Sequence, residues 1–153
     1  WEKEIRSGKA FTMACGQYAL IEFQPEDDYS RIRQGLQAVQ MEGYWPILAH
    51  AERCRRLAEN IDYVEELVRM GIYIQINAKS VAGGNGWRCK SCTHKRVKDR
   101  LVHFVASDGH DTKKRAPVLF KTVNYIAKKY GKDYALQLSV ANPGKIISDK
   151  FID

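Results

Sequence analysis

Four short apolar runs, each ending beside a residue able to do chemistry, constrain this chain more than any other feature. Tyr18-Ala-Leu-Ile-Glu-Phe23, Tyr44–Ala49, Ile72–Asn77 and Leu101–Ala106 are short and rich in β-formers, so they read as strands. Between them apolar residues recur at helical spacing. Tyr29, Ile32, Leu36 and Val39 make one stripe, opened by Pro25 and the acidic Glu26-Asp27-Asp28 and stopped at Gly43. Asn60 caps a second, with Ile61, Val64, Leu67 and Val68 inward and Gly71 at its end. In the third strand Ile72, Ile74 and Ile76 face one way, and Tyr73, Gln75 and Asn77 the other. Leu119, Val123, Ile126 and Tyr130 form a last long stripe closed by Gly131. A short helix around Tyr134–Val140 is then expected to stop before Asn142-Pro143. The order β-α-β-α-β-(loop or helix)-β-α-α predicts an α/β fold with parallel strands.

In parallel α/β proteins ligands gather at the carboxyl ends of the strands, where the connecting loops converge. Here those ends carry Glu22, His50, Asn77, then Asp108 and His110. Glu22, between Ile21 and Phe23, needs a metal or an arginine if it is buried; otherwise it is an outward-facing edge glutamate. In His50-Ala-Glu-Arg53 the imidazole suits a ligand, and the Arg53 guanidinium suits a fork for paired phosphate oxygens. The plainer reading of that tetrapeptide is a surface helix start. Asp108-Gly-His110 lets a carboxylate and an imidazole approach one cation, with Gly109 relieving backbone crowding, or it is simply a turn. A mixed Glu/Asp/His set suits Mn²⁺, Fe or Zn²⁺ better than Ca²⁺ or copper. Arg53 and Arg115 point to an anionic, phosphorylated substrate.

Composition narrows the class. With 153 residues, 44% apolar and 28% charged, the chain supports one real core, which excludes a disordered tail, a fibre and a small disulfide scaffold. No apolar run approaches the roughly 20 residues needed to span a bilayer. Trp1–Lys9 is charged and unlike a signal peptide, so the chain is expected to be soluble and cytoplasmic. Cys15, Cys54, Cys89 and Cys92 are few and irregularly spaced, as reduced thiols are.

Charge is uneven: residues 1–78 carry 9 basic and 12 acidic side chains, net −3, and residues 79–153 carry 16 and 6, net +10. A basic half attracts anions of any kind. Arg88-Cys-Lys-Ser-Cys-Thr-His94 begins like a zinc knuckle but lacks a fourth ligand and a second ligand pair. It is expected to be a basic surface loop feeding a helix near Val97. The six basic residues from Arg88 to Arg100 read as a solvated face suited to acidic protein segments; without an aromatic platform, nucleic acid is not expected. Gly83-Gly-Asn-Gly86 reads as a flexible loop, without the Lys-Ser/Thr of a P-loop. His103 is expected to be a satisfied core or inward-facing histidine. Gln75 and Asn77 either line the site or fill a polar interior.

Leu20-Ile-Glu-Phe23, Ile47-Leu-Ala-His-Ala-Glu-Arg53 and His103-Phe-Val-Ala-Ser-Asp-Gly-His110, followed by Arg115-Ala-Pro117, occur in one order and spacing. Together they resemble the bacterial PHP-type (polymerase and histidinol phosphatase) protein tyrosine phosphatases of capsule and exopolysaccharide operons, the CpsB type. The resemblance covers most of the chain. It implies a distorted TIM-like β/α barrel with a divalent metal cluster, Mn most of all and otherwise Fe, Zn or Mg, at the strand ends. Glu22, His50, Asp108 and His110 would be metal ligands, and Arg53 and Arg115 would hold the phosphate. Metal ions there would lower the pKa of water and supply hydroxide to attack the phosphate. The implied substrate is phosphotyrosine on a partner protein, a tyrosine kinase regulating polysaccharide synthesis.

One departure stands out: the family opens with a His-x-His motif on its first strand, and here the first histidine is His50. A full barrel takes roughly 250 residues. Residues 1–153 are therefore expected to be a single partial PHP domain, about the last four strand–helix units. Two alternatives follow from the same residues: a noncatalytic remnant that binds an acidic or phosphorylated partner, or a phosphoesterase acting on a small phosphate monoester. The open sheet edges of a partial barrel would also invite a second copy of the chain.

Overall fold

A computed structural model of the chain describes residues 12–109 and 119–152. Four strands, β1 (Tyr18–Ile21), β2 (Trp45–Leu48), β3 (Tyr73–Asn77) and β4 (Phe104–Ala106), form one parallel sheet in sequential order. Sequential neighbours trace the arc of a β/α barrel, whereas a doubly wound sheet reverses order at a switch point. The register pairs Leu20 with Ile47, Ile47 with Tyr73, and Gln75 with Phe104, so the side-chain period of two places these residues on one face.

The opposite face is covered by helices. α1 (Tyr29–Met41) buries Ile32, Leu36 and Val39, the stripe its sequence predicts. A short helix α2 (Arg55–Glu59), not anticipated from the sequence, buries Leu57. In α3 (Ile61–Arg69) the Asn60 side chain accepts the Asp62 N–H at 3.0 Å, the expected cap, and Val64 and Leu67 point inward. With Leu48, Ile72 and Ile74 these residues form one cluster, each large side chain contributing about 1.5–3 kcal/mol through burial. β3 is buried on both faces: its isoleucines pack under the helices, and Tyr73, Gln75 and Asn77 are enclosed on the inner side.

Two expectations fail here. The basic stretch after Gly86 is not a loop: α4 (Ala78–Ala82) is followed by α5 (Trp87–Lys98), a 12-residue helix that Gly86 starts at φ +92°. Burial overrides its poor apolar periodicity, for Thr93, Arg96 and Val97 are all inside. Arg96 is thus no part of a solvated basic face. The final helix also runs on past Pro143. After α6 (Phe120–Tyr130) and α7 (Lys132–Leu136), a π turn (Gln137–Ala141) leads directly into α8 (Asn142–Ile147). The proline falls in the first turn of α8, where a missing N–H is tolerated, and the wide turn before it makes room for the ring. Asn142 explains the arrangement further: it is buried, and its Nδ2 donates to His103 O at 2.8 Å.

The C-terminal segment crosses the inner face at the amino ends of the strands. Tyr18 and Tyr73 hydroxyls donate to Lys150 O and Ile152 O, at 2.8 and 3.0 Å, and Ile146 and Ile152 pack among Tyr18, Ile47, Tyr73 and Phe104. That plug leaves the carboxyl end of the inner face open.

Candidate functional site

The open end is a cavity of about 370 Å³, walled by Leu20, Ile47 and Phe104, with Glu22, His50, Gln75, Asn77 and Asp108 at its polar rim. Except for Gln75, in the middle of β3, each polar group stands at or just beyond a strand end. Glu22 follows β1 directly, and its Oε1 lies 3.0 Å from His50 Nε2. His50 is buried and turns the chain after β2 through the left-handed region, φ 32° and ψ 52°; Asp108 does the same after β4, at φ 52°. Non-glycine residues hold that conformation only when their surroundings impose it, and such positions cluster at functional sites.

The imposing groups are visible. Gln75 Oε1 accepts the His50 backbone N–H at 2.7 Å, and its Nε2 donates to Asn77 Oδ1 at 3.0 Å. Asn77 Nδ2 in turn donates to Asp108 Oδ2, also at 3.0 Å. One chain of side chains on β3 therefore fixes both flanking ends. Arg53, on the 3₁₀ turn Ala51–Arg53, completes it by pairing its Nη2 with Asp108 Oδ2 at 3.1 Å. Glu52 beside it is almost fully buried; its Oε1 accepts the Asn77 N–H at 3.2 Å and the Ser80 hydroxyl at 2.6 Å. Glu52 thus ties the Arg53 turn to the end of β3.

Comparison with known proteins identifies the family. The family model for capsular polysaccharide synthesis, CpsB/CapC, matches residues 1–148. The chain belongs to the CpsB/CapC family. It is 40% identical over 146 residues to the tyrosine-protein phosphatase CpsB of Streptococcus pneumoniae, covering 92% of this chain and 60% of that protein. To the tyrosine-protein phosphatase YwqE of Bacillus subtilis (strain 168) it is 32% identical over 139 residues, 90% of this chain and 54% of that one. It superposes with a TM-score of 0.89 and 29% identity on a chain from the crystal structures of YwqE from Bacillus subtilis and CpsB from Streptococcus pneumoniae, described as unique metal-dependent tyrosine phosphatases. That match covers 99% of this chain and 61% of the other. The chain thus spans about three fifths of the CpsB sequence that it matches.

Of the candidate residues singled out in the sequence, Glu22, His50 and Asp108 line the cavity rim, and Arg53 joins them by pairing with Asp108. His110 and Arg115 lie outside the described residues. A divalent metal fits the Glu22–His50 corner on two observations. Octahedral ligand bonds of about 2.1 Å put adjacent donors about 3 Å apart, close to the Oε1–Nε2 separation of this ion pair. His50 Nδ1 is buried with no hydrogen-bond partner among the described residues, so the ring's polar contact lies on the Glu22 side. Asp108 is turned toward Arg53 and Asn77, and among the described residues no three His, Cys, Asp or Glu groups stand close enough to hold one ion.

Sequence reasoning missed Glu52 and Ser80. An acidic residue at a helix start is ordinary, and only the tertiary fold buries this one. Gln75 and Asn77 are rim residues that position His50 and Asp108, which makes them lining residues rather than filling. His103 takes its plainer role: Nδ1 accepts the Ile74 N–H at 3.0 Å, and burial lowers its pKa to about 4. The zinc-knuckle start is dissolved by α5. His94 Nδ1 meets the Tyr130 hydroxyl at 2.8 Å, whereas Cys89 and Cys92 face the 51–53 turn and each other.

Proposed function

We propose that this chain carries the phosphate-handling side of a metal-dependent protein tyrosine phosphatase, within a single partial PHP domain. The observation that supports it best is the convergence of Glu22, His50 and Asp108 at one cavity mouth, with Arg53 paired to Asp108. Glu22, His50 and Asp108, with His110, would hold divalent metal, Mn foremost. The metal, when bound, supplies Lewis-acid charge and an activated water. Arg53 and Arg115 orient the phosphoryl group; releasing Asp108 to a cation frees the Arg53 fork for phosphate oxygens. The apolar wall of Leu20, Ile47 and Phe104 receives an aromatic ring and excludes water from it. The partner is a phosphotyrosine protein, a kinase of capsule or exopolysaccharide synthesis, and the compartment is the cytoplasm. Four free cysteines fit that reducing setting. Among the described residues no helix is long and apolar enough to cross a membrane.

The Arg53–Asp108 pair also supports a second reading, in which the chain binds a phosphorylated partner without turnover. A phosphotyrosine peptide assay on the chain, with Mn²⁺ and with chelator, separates the two. Hydrolysis that chelator abolishes, thiol alkylation spares, and His50→Ala or Asp108→Ala lowers at least about 100-fold supports the enzyme. Peptide binding with no metal-dependent turnover supports the second reading. Turnover indifferent to chelator and to both substitutions would overturn the site.

A further inference from the structure

Phosphate chemistry at the strand ends leaves two thiols unused. Cys89 and Cys92 lie three residues apart on α5, both free and partly exposed. An i, i+3 pair shares one helix face, with Cβ atoms about 5–6 Å apart, a modest closure away from disulfide geometry. The Cys92 thiol already turns toward Cys89, donating to its carbonyl oxygen at 3.2 Å. Cys89 is the third residue of the helix, so the positive end of α5 bears on its sulfur.

Arg96 is the second, independent observation. It follows Cys92 by four residues, so both occupy one side of α5, and it is 0% exposed. Its Nε, Nη1 and Nη2 have no hydrogen-bond partner among the described residues. A guanidinium buried in that state is strongly disfavoured unless an anion lies close by. Its positive charge acts on the Cys92 sulfur and on the buried Cys54. Hydrogen bonding from Cys92 lowers the Cys89 thiol from its ordinary value, and the same contact together with burial raises Cys92. Its place in the first turn of α5 makes Cys89 the attacking thiol and leaves Cys92 to resolve. A second cavity of about 250 Å³ opens on the Cys92 side of the pair, its lining carrying Arg88, Lys95 and Arg96 against the single acid Glu59. Its basic rim suits an anionic ligand.

We propose that Cys89 and Cys92 are a redox-active dithiol that exchanges with anionic low-molecular-weight disulfides and closes into a reversible Cys89–Cys92 bond. The Cys89 thiolate attacks one sulfur of the disulfide RSSR, forming a mixed disulfide and displacing the first RS⁻. Cys92 then loses its proton to solvent and attacks the Cys89 sulfur, displacing the second RS⁻. The dithiol gives up two electrons and two protons, and RSSR becomes two RSH. Because the Cys89 thiol lies 3.9 Å from Glu52 O, the bond forms against the turn that carries Arg53.

The test treats the chain with oxidised glutathione, quenches in acid, alkylates the remaining thiols and maps the peptides by mass. The expected product is one Cys89–Cys92 disulfide, two hydrogens lighter and reversed by dithiothreitol, with Cys15 and Cys54 alkylated. Cys92→Ser should stop at a glutathione adduct on Cys89, and Cys89→Ser should lower adduct formation at Cys92 at least about tenfold. Alkylation of both Cys89 and Cys92 in the wild-type chain, or bonds that instead involve Cys15 or Cys54, would overturn the proposal. So would equal reactivity of folded Cys89→Ser and wild type. If either variant unfolds, the wild-type map decides alone.

Discussion

Protonation of His103 should weaken the fold in a calculable way. Its Nδ1 accepts the Ile74 N–H at 3.0 Å, while its own backbone N–H donates to Ile74 O at 2.9 Å, so the residue is stitched to β3 twice. A proton on Nδ1 would set a donor against a donor. Burial accordingly lowers the imidazole from 6.5 to about 4. The folded value lies below the unfolded one, so the unfolded chain binds the proton first. The contribution is complete above pH 6.5 and is lost as pH falls toward 4. Between about pH 7.5 and 5.5 the loss is about 1.4 kcal/mol, reaching about 3.4 kcal/mol once both states are protonated. Urea unfolding at the two pH values measures this, with His103→Gln as the reference, since its amide oxygen keeps an acceptor that does not titrate. Subtracting the two pH dependences cancels the other ionisable groups. A difference below about 0.5 kcal/mol, or an imidazole that titrates near 6.5 in an NMR titration of the folded chain, would refute the argument.

Gln75→Leu keeps the volume but strands the His50 N–H and the Asn77 Oδ1, so stability should fall by about 2–5 kcal/mol in urea unfolding. A change under about 1 kcal/mol would mean that water replaces the amide. Asn142→Ala removes the side-chain donor to His103 O and should cost about 1–3 kcal/mol. Hydrogen exchange should then quicken in β4 more than in β1, since the lost bond reaches the residue next to β4; uniform quickening would count against a local role.

Much of this molecule is legible in one dimension. The helix over 29–41 has apolar residues at the right period, and nothing in the tertiary structure competes with it. Asn60 caps α3 because a side-chain acceptor two residues from an unpaired N–H is a local matter. Glu22, His50 and Asp108 could be placed at one rim before any coordinates, since parallel strands share a direction and their ends must lie together.

α5 was not legible. Its run of Arg88, Lys90, Lys95, Arg96 and Lys98 has the composition of a solvated segment, and only contact with the 51–53 turn and its neighbours buries Arg96. Likewise Glu52 and Ser80 look ordinary, because their bond joins residues 28 positions apart. Pro143 was misleading for a related reason: the rule that ends a helix before proline is local, and the π turn that accommodates it is locked by Asn142 reaching back to β4. Periodicity, caps and strand-end chemistry were set by the sequence itself, through interactions between residues near one another in the chain or repeated at a fixed period. Which polar groups are buried, and which thiol stands beside which charge, was decided by the tertiary structure, because burial depends on partners that the chain meets only after it folds.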